Sequence, residues 1–329
     1  MAPLLEVKGL KKYFKTGSGL LHAVDDVSFS IEKGTTLGIV GESGCGKSTL
    51  GRVILHLLEP TDGQIFFEGR DITRVNKKEL HELRKDMQII FQDPYSSINP
   101  RMTVKEIIEE PLIIHNMYKS ADERRHRVQE LMDTVGLARR LGNAYPHELD
   151  GGRRQRIGVA RALSLNPKFI VCDEPVSALD VSIQAQIINL LQDLQRELGL
   201  TYIFITHDLS VVRHISNEIG VMYLGQMVEK TNARELFKNQ LHPYTKALLS
   251  AIPVPDIHNK SKRIILRGEI STPIDPADEC RFSVRCNHAC EQCRKGQPQL
   301  VEAEPNHFVA CKRWQELKGR MEADAPMEG

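Results

Sequence analysis

The clearest chemical signal in this sequence is a glycine-rich segment at residues 41–49, which reads GESGCGKST. It matches the pattern G-x-x-x-x-G-K-[S/T], it follows the apolar run LGIV, and it precedes a helical pattern. Glycines in such a loop let backbone amides wrap phosphate groups, and the amino end of the following helix favours the anion. We therefore predict a nucleotide site in which Lys47 reaches the β- and γ-phosphates and Ser48 ligates Mg²⁺. The residues assigned to it are Gly41, Ser43, Gly44, Cys45, Gly46, Lys47, Ser48 and Thr49.

A second chemical signal is the apolar run FIVC at residues 169–172, which ends in Asp173 and Glu174. Phosphoryl transfer needs mainly positioning and neutralisation of charge, and two carboxylates at a strand end can supply the metal end and the water end. We expect Asp173 to hold Mg²⁺, directly or through water. We expect Glu174 to orient and polarise the attacking water. Together the two segments predict phosphoryl transfer from a nucleotide.

These segments need a scaffold that brings strand ends together, and the hydrophobic pattern predicts one. Runs such as FIVCD and TYIFITHD are apolar on both faces, which is typical of a parallel sheet buried on both sides. Helical periodicity between such runs predicts an α/β fold. Strands are expected at residues 37–40, 64–67, 88–91, 169–172, 202–206 and 220–223, and helices at 48–58, 104–115, 121–135, 152–165 and 183–198.

The length of 329 residues favours one large domain and a smaller one, because a single core rarely grows past roughly 250–300 residues. The stretch 94–167 is mostly helical and interrupts the strand pattern, which indicates an inserted helical subdomain. After residue 242 the composition shifts towards Pro, Cys, Lys and Arg. We therefore expect a first domain at 1–235, with the helical subdomain at about 94–167, and a second domain at 236–329.

The overall charge and the length of the apolar runs bear on the partners that this chain can have. The chain has 44 Lys and Arg against 43 Asp and Glu, a formal charge of +1, which argues against a nucleic-acid partner. No apolar run approaches the ~20 residues that span a bilayer, and the first residues lack the apolar region of a signal peptide. We expect a cytoplasmic chain whose membrane role, if it has one, is peripheral or exerted through partners.

Further markers complete a pattern in the order typical of one family. They are Tyr13, Gln92, the sequence LDGGR at 149–153, the sequence SALD at 177–180, and His207 after the run TYIFIT. With the phosphate loop and the two carboxylates, residues 5–235 resemble the ATP-binding subunit of an ABC transporter. The resemblance implies a P-loop NTPase core of the ABC ATPase type that binds and hydrolyses ATP.

The resemblance also implies a role for each matching residue. Tyr13 would stack on adenine, and His207 would contact the γ-phosphate. Gln92 would join the core to the helical subdomain and sense the site of Mg²⁺ and water. The implied catalytic residues are Lys47, Gln92, Glu174 and His207, and the implied Mg²⁺ site consists of Ser48, Gln92 and Asp173.

The signature motif departs from the family pattern Leu-Ser-Gly-Gly-Gln, because Asp150 replaces the serine and Arg153 replaces the glutamine. In the family this loop reaches the ATP of a partner across a head-to-tail dimer. Nucleotide contacts are thus implied for Asp150, Gly151 and Gly152, and a communicating role for Asp180. Two unit charges 4 Å apart repel by ~4 kcal/mol at an effective dielectric of 20, whereas Asp caps a helix about as well as Ser. We hypothesise a heterodimer with a second ABC ATPase subunit and one weak composite site; a degenerate, non-catalytic subunit is the alternative.

Two longer segments narrow the resemblance. QDPYSSINPRM at 92–102 and HPYTKALL at 242–249 resemble the oligopeptide and dipeptide importer ATPases. This implies import of di- and oligopeptides, two transmembrane permease subunits docked near residues 92–102, an extracytoplasmic peptide-binding protein, and a peripheral position on the cytoplasmic face of the cell membrane. Importers of nickel or sugars share these segments and remain alternatives. A soluble ABC ATPase of DNA repair or translation is a weaker rival, because no second cassette or basic arm is visible.

Five of the seven cysteines fall late in the chain, with the spacing Cys280-x5-Cys286-x3-Cys290-x2-Cys293-x17-Cys311. In a reducing compartment this pattern indicates a metal or cluster site in preference to disulfides. Four thiolates suit tetrahedral Zn²⁺ or an iron–sulfur cluster, and the spacing alone does not choose. In the peptide importers a proline lies five residues after the third ligand, as Pro298 does after Cys293. The resemblance therefore implies a structural [4Fe-4S] cluster on Cys280, Cys286, Cys293 and Cys311, with Cys290 spare.

Overall fold

The computed structural model describes residues 3–93, 97–252, 263–266, 268 and 271–323. Residues 94–96, at the predicted start of the helical subdomain and within the segment 92–102, lie outside this description. So do 324–329 at the end of the predicted second domain.

The strands that carry the predicted site run parallel in an eight-stranded sheet. In spatial order they are β6 (Met87–Ile90), β7 (Phe169–Asp173), β8 (Thr201–Ile205), β3 (Thr36–Val40) and β9 (Glu218–Tyr223). Every residue of β3, β7 and β8 is buried, which confirms the reading of these runs as apolar on both faces. Their carboxyl ends lie side by side, so the side chains that follow them can converge.

The same sheet continues antiparallel beyond β9. β10 (Gln226–Asn232) pairs with β9, β12 (His307–Val309) pairs with β10, and β11 (Val301–Glu304) pairs with β12. The last strands of the chain therefore extend the sheet that holds the phosphate-loop strand.

A second sheet is antiparallel and has four strands. In spatial order these are β2 (Gly19–Ile31), β1 (Leu5–Thr16), β4 (Asp62–Phe67) and β5 (Arg70–Asp71). The long β1–β2 hairpin was not among the predicted strands, because its alternation is interrupted by register shifts along β1.

Ten α-helices occur within the described residues, and five of them match the predicted helices to within a few residues. The ten helices are α1 (Lys47–Ile54), α2 (Lys77–Asp86), α3 (Val104–Ile114), α4 (Ala121–Thr134), α5 (Gly151–Leu163), α6 (Val181–Leu198), α7 (Leu209–Ile215), α8 (Ala233–Lys238), α9 (Pro243–Ser250) and α10 (Trp314–Ala323).

Helices α3, α4 and α5 lie in sequence between β6 and β7 and share one apolar core. Ile107, Leu131 and Ile157 belong to it. Over the part of the chain that the structure describes, no helix combines the length and the apolar character needed to cross a membrane.

Candidate active site

The phosphate loop connects the end of β3 to the start of α1. Gly46, the residue before α1, has φ 103°, and a Cβ there would lie 2.0 Å from the Ala23 carbonyl oxygen. Only glycine fits this backbone without displacing its neighbour. The loop is therefore held against the β2 strand by a close backbone approach.

Lys47 is held beneath this loop and is only 4% exposed. Its Nζ donates to the carbonyl oxygens of Gly41 at 2.8 Å and Glu42 at 3.0 Å. The thiol of Cys45 lies 3.8 Å from the same nitrogen, and burial raises the pKa of Cys45. The lysine is thus oriented by the loop, whereas the Cys45 side chain is packed inside.

Ser48 and Asp173, two of the residues predicted to bind Mg²⁺, lie in direct contact. Ser48 Oγ donates to Asp173 Oδ1 at 2.6 Å, and Arg52 lies 3.6 Å from Asp173 Oδ2. Burial raises the pKa of Asp173, against the opposing effects of the Ser48 hydrogen bond and the Arg52 charge. Hydroxyl and carboxylate oxygens are the donors that Mg²⁺ prefers, so this pair fits that ion.

The residues predicted to position the attacking water follow three neighbouring strands and contact one another. Gln92 Nε2 donates to Glu174 Oε2 at 2.9 Å and to Ser177 Oγ at 3.3 Å. His207 Nδ1 lies 3.3 Å from Glu174 Oε2. Glu174 has φ 49°, an uncommon conformation for a non-glycine residue. Gln92, Glu174 and His207 follow β6, β7 and β8, so adjacent strand ends bring the predicted catalytic side chains together.

The phosphate loop, the start of α1 and the residues that follow β6, β7 and β8 border one open cavity of about 570 Å³. The phosphate loop and the start of α1 contribute Ser43, Gly44, Gly46, Lys47, Ser48 and Thr49. The strand ends contribute Gln92, Glu174 and His207, and the far wall consists of Phe14, Leu21, Ala23, Gly225 and Pro273.

The cavity wall on β1 is Phe14, the neighbour of the predicted Tyr13. Tyr13 instead stacks on His22, with ring centroids 3.9 Å apart, and its hydroxyl donates to Asp25. Adjacent strand residues face opposite sides, so Phe14 faces the cavity where Tyr13 was expected. The sequence shows an aromatic pair on this strand, but it does not indicate which of the two rings faces the cavity.

The signature-motif residues lie away from this cavity within the monomer. Asp150 caps α5: its Oδ1 accepts from the Arg153 amide at 2.8 Å, as the capping interpretation predicted. Its Oδ2 lies 3.4 Å from Arg153 Nε. The cavity is not bordered by Asp150, Gly151 or Gly152, nor by Asp180 at the start of α6.

The late cysteines form a separate group. Cys280, Cys286, Cys293 and Cys311 border one small cavity, whereas Cys290 does not. Burial raises the pKa of Cys280 to about 11 and that of Cys311 to about 12.

The spread of these thiols bears on the choice of metal. Around one zinc ion, thiolates at 2.3 Å from the metal lie about 3.8 Å from each other. Among the described residues, only Glu235, Glu304 and His307 bring three candidate ligand atoms within 4.8 Å of one another. Cys290 Sγ lies 3.8 Å from Cys293 Sγ, but no three cysteine sulfurs of the described residues meet within 4.8 Å of one another.

A phosphate loop after a parallel strand, with strand-end acids and a flanking antiparallel sheet, defines a P-loop ATPase of the ATP-binding cassette type. The family profile described as ABC transporter matches residues 24–177, and the profile described as oligopeptide/dipeptide transporter, C-terminal region, matches residues 228–293. The chain belongs to the ABC transporter ATPases of the oligopeptide/dipeptide transporter group.

Curated relatives extend over nearly the whole chain. The putative oligopeptide transport ATP-binding protein YkfD of Bacillus subtilis is 55% identical, over 94% of this chain and 95% of the relative. The oligopeptide transport ATP-binding protein AppF of the same organism is 54% identical, over 94% and 96%.

Solved structures support the same cassette fold. The dimeric, post-hydrolysis ATP-binding cassette MJ0796 bound to ADP and Pi has a TM-score of 0.63 and 33% identity, over 70% of this chain and 99% of that one. The cbiO1 subunit of an ABC transporter complex from Clostridium perfringens has a TM-score of 0.65 and 30% identity, over 72% and 92%.

Proposed function

We propose that this chain binds and hydrolyses MgATP to power the import of di- and oligopeptides through an ABC transporter. The observation that carries the proposal is the convergence of Lys47, Ser48 and Glu174 on one cavity. Asp173 accepts a hydrogen bond from Ser48, and Gln92 and His207 contact the Glu174 carboxylate. The peptide substrate is supported by two relatives, named as oligopeptide transport ATP-binding proteins, that match 94% of the chain.

In this proposal Glu174 holds and polarises the attacking water, because Gln92 and His207 fix its carboxylate from two sides. Lys47 and His207 stabilise charge that develops on the γ-phosphate. Ser48 and Asp173, with Gln92 nearby, would hold Mg²⁺, which neutralises phosphate charge when bound. Phe14 is the proposed adenine-stacking residue in place of Tyr13, since its ring borders the cavity.

We further propose that the working unit is a heterodimer with a second ABC ATPase subunit. The signature loop of this chain would then face the partner's ATP with Asp150. The Asp150–Arg153 ion pair offsets part of the charge repulsion, because Arg153 brings a positive charge to within 3.4 Å of that carboxylate. One composite site would be weaker than the other.

We propose two transmembrane permease subunits, docked near residues 92–102, as the membrane partners. An extracytoplasmic peptide-binding protein would act indirectly, and the chain would lie on the cytoplasmic face of the cell membrane. The helices between β6 and β7 would form the helical subdomain at about 94–167, within a catalytic domain at 1–235 followed by a Cys-bearing domain at 236–329.

Cys280, Cys286, Cys293 and Cys311 would hold a [4Fe-4S] cluster, which serves as a structural crosslink when bound. The cavity that these four thiols share supports a common site for them, and the family resemblance favours a cluster over zinc. An anaerobic preparation should contain iron and sulfide and absorb near 400 nm. Cys293→Ser should lose that absorption and Cys290→Ser should keep it; zinc without iron in the wild type would contradict the cluster.

The test of transport is a vesicle assay with the chain, its partner ATPase, the two permeases and the binding protein. Wild type should accumulate labelled peptide in an ATP-dependent way. Glu174→Gln should keep ATP binding but lose hydrolysis by a factor of about 10³, and uptake with it. The exposed carboxylate variant Glu197→Gln, on α6, should behave as wild type. Uptake of nickel or a sugar but not of peptide would overturn the substrate assignment.

A further inference from the structure

The phosphate loop is contacted by residues that lie more than 200 positions later in the chain. Arg285 Nη1 donates to Glu42 Oε2 at 2.7 Å, and Arg285 Nη2 donates to Glu42 Oε1 at 3.2 Å. The Arg285 side chain is 8% exposed and that of Glu42 is 22% exposed. A two-pronged contact between an arginine and a carboxylate, largely shielded from water, is among the stronger polar interactions in proteins.

Glu42 is the second residue of the phosphate loop, and all its polar groups are engaged. Its amide donates to Tyr244 Oη at 3.0 Å, and its carbonyl oxygen accepts from Lys47 Nζ at 3.0 Å. Two of the three partners, Arg285 and Tyr244, therefore come from the region after residue 235. The third is the lysine that is expected to bind the phosphates.

The segment that carries Arg285 is anchored to the core beside the nucleotide cavity. The ring of Phe282 lies 5.2 Å from that of Tyr223 and 5.5 Å from that of Tyr244. Arg281, which is also buried, donates to the Leu224 carbonyl oxygen and to Asp25. Residues 281–285 thus form a strut between the region of the late cysteines, residues 280–311 (the cysteine region), and Asp25, Leu224 and Glu42.

The strut is bounded by two of the late cysteines. Cys280 directly precedes Arg281, and Cys286 directly follows Arg285. Both thiols border the cavity of the cysteine group. A change in the fold around these thiols would therefore move the guanidinium that holds Glu42.

We propose that Arg285 is a positioning residue for nucleotide binding, which holds the phosphate loop through Glu42 and makes nucleotide affinity depend on the folded cysteine region. The proposal rests on ATP binding by the chain. Arg285 does not border the nucleotide cavity, so it acts on the phosphates only through Glu42 and Lys47.

The first test measures binding of a fluorescent, ribose-labelled ADP with Mg²⁺ to the full-length protein. Arg285→Gln should weaken binding about tenfold, within the 5- to 150-fold range typical of coupled sites, while kcat at saturating ATP changes by less than about twofold. Arg285→Lys should restore part of the affinity, because it keeps the charge but not the two-pronged geometry. Glu42→Gln should weaken binding to a similar extent, and adding Arg285→Gln to it should have little further effect.

The matched control is Arg124→Gln, which removes an ion pair with Glu109 at 2.9 Å between α3 and α4, far in sequence from the cavity. It should leave the nucleotide affinity unchanged even if it lowers the melting temperature. If folded Arg285→Gln binds ADP as tightly as wild type, the positioning role is wrong. If wild type itself does not bind, the proposed function fails instead, so the two failures are distinguishable.

Coupling is reciprocal, which gives a second test without any measurement of activity. Adding MgADP to the wild type should slow hydrogen exchange in residues 280–286, and Arg285→Gln should abolish this slowing at saturating nucleotide. A purely structural contact would speed exchange in the variant but would show no dependence on nucleotide in either protein. That result would overturn the proposal.

Discussion

The nucleotide site and the cysteine region are built by the chain in two different ways. The nucleotide site depends on regular elements: a loop between β3 and α1, and side chains that directly follow parallel strands. Between residues 271 and 300 the described chain has turns, one isolated bridge at Ile274 and one short 3-10 helix, Glu291–Arg294. This stretch, which carries four of the five late cysteines, is thus held by contacts to the core and not by its own secondary structure.

The cysteine region depends on the core for its shape, and the phosphate loop depends on the cysteine region for the contact that holds Glu42. Short local motifs suffice where strands and helices position the residues. Where no strand or helix positions the residues, long-range ion pairs such as Arg285–Glu42 and Arg281–Asp25 are needed. Substitutions that act on one region and spare the other can test this contrast.

The largest expected effect is on the loop itself, where two glycines differ in their surroundings. A Cβ at Gly46 would lie 2.0 Å from a backbone oxygen, whereas at Gly44, with φ 79°, nothing lies within 4 Å. Gly46→Ala should lower the free energy of unfolding by about 3 kcal/mol or more, since it adds a clash to the strain. Gly44→Ala should cost only about 1–2 kcal/mol. Urea denaturation checks both values, and equal losses would contradict the close backbone approach.

The second effect concerns His242, a fully buried residue at the start of α9. Burial lowers the pKa of His242 to about 4, against the attraction of Glu229. The unfolded chain binds this proton below pH 6.5, and the folded chain only near pH 4. Stability is therefore fully present above pH 6.5 and falls by about 3 kcal/mol as the pH drops to 4.

The check on this pH dependence is urea denaturation of wild type and His242→Asn. Asparagine keeps a side-chain acceptor for the Tyr244 amide, which His242 Nδ1 now caps at 3.1 Å, but it does not titrate. The variant should lose about 3 kcal/mol less than wild type between pH 6.5 and 4. The exposed control His147→Asn should follow the wild-type curve, and parallel curves for all three proteins would refute the assignment.

The third effect separates the two aromatic residues of β1. Phe14→Ala should weaken ADP binding about tenfold, because stacking of a base on an aromatic ring is worth ~1–3 kcal/mol. Tyr13→Ala removes a ring of similar size from the opposite face and should weaken it less. Titration with labelled ADP decides between them. A larger loss for Tyr13→Ala would restore the original sequence prediction.

The smallest effect is expected at the signature motif. Asp150→Ser keeps the helix cap and removes a negative charge that Arg153 already offsets in part. ATPase activity of the assembled complex should rise a few-fold, and more at low salt than at high salt. The control Asp122→Ser removes a comparable exposed ion pair, with Arg125 at 2.7 Å on α4, and should change nothing. No rise for Asp150→Ser would contradict the weak composite site.

The predicted catalytic residues could be found from the sequence because each one closely follows a strand, and the strand order then places it. Glu174 and His207 each follow a fully buried strand, and the parallel arrangement of β7 and β8 then brings them to 3.3 Å. The five predicted helices were found for a similar reason, since periodicity over ten or more residues is a strong signal. The long β1–β2 hairpin was missed, because register shifts after Val7, Leu10 and Lys12 disrupt the alternation.

The sequence by itself determined the phosphate loop, the two strand-end acids and the capping role of Asp150. Each depends on spacing along a few neighbouring residues or on one regular element. Only the tertiary structure decided that Phe14 and not Tyr13 faces the cavity, and that Arg281 and Arg285 form ion pairs with Asp25 and Glu42. The physical reason is that a facing choice on an irregular strand, and an ion pair between residues more than 240 positions apart, leave no local pattern in the chain.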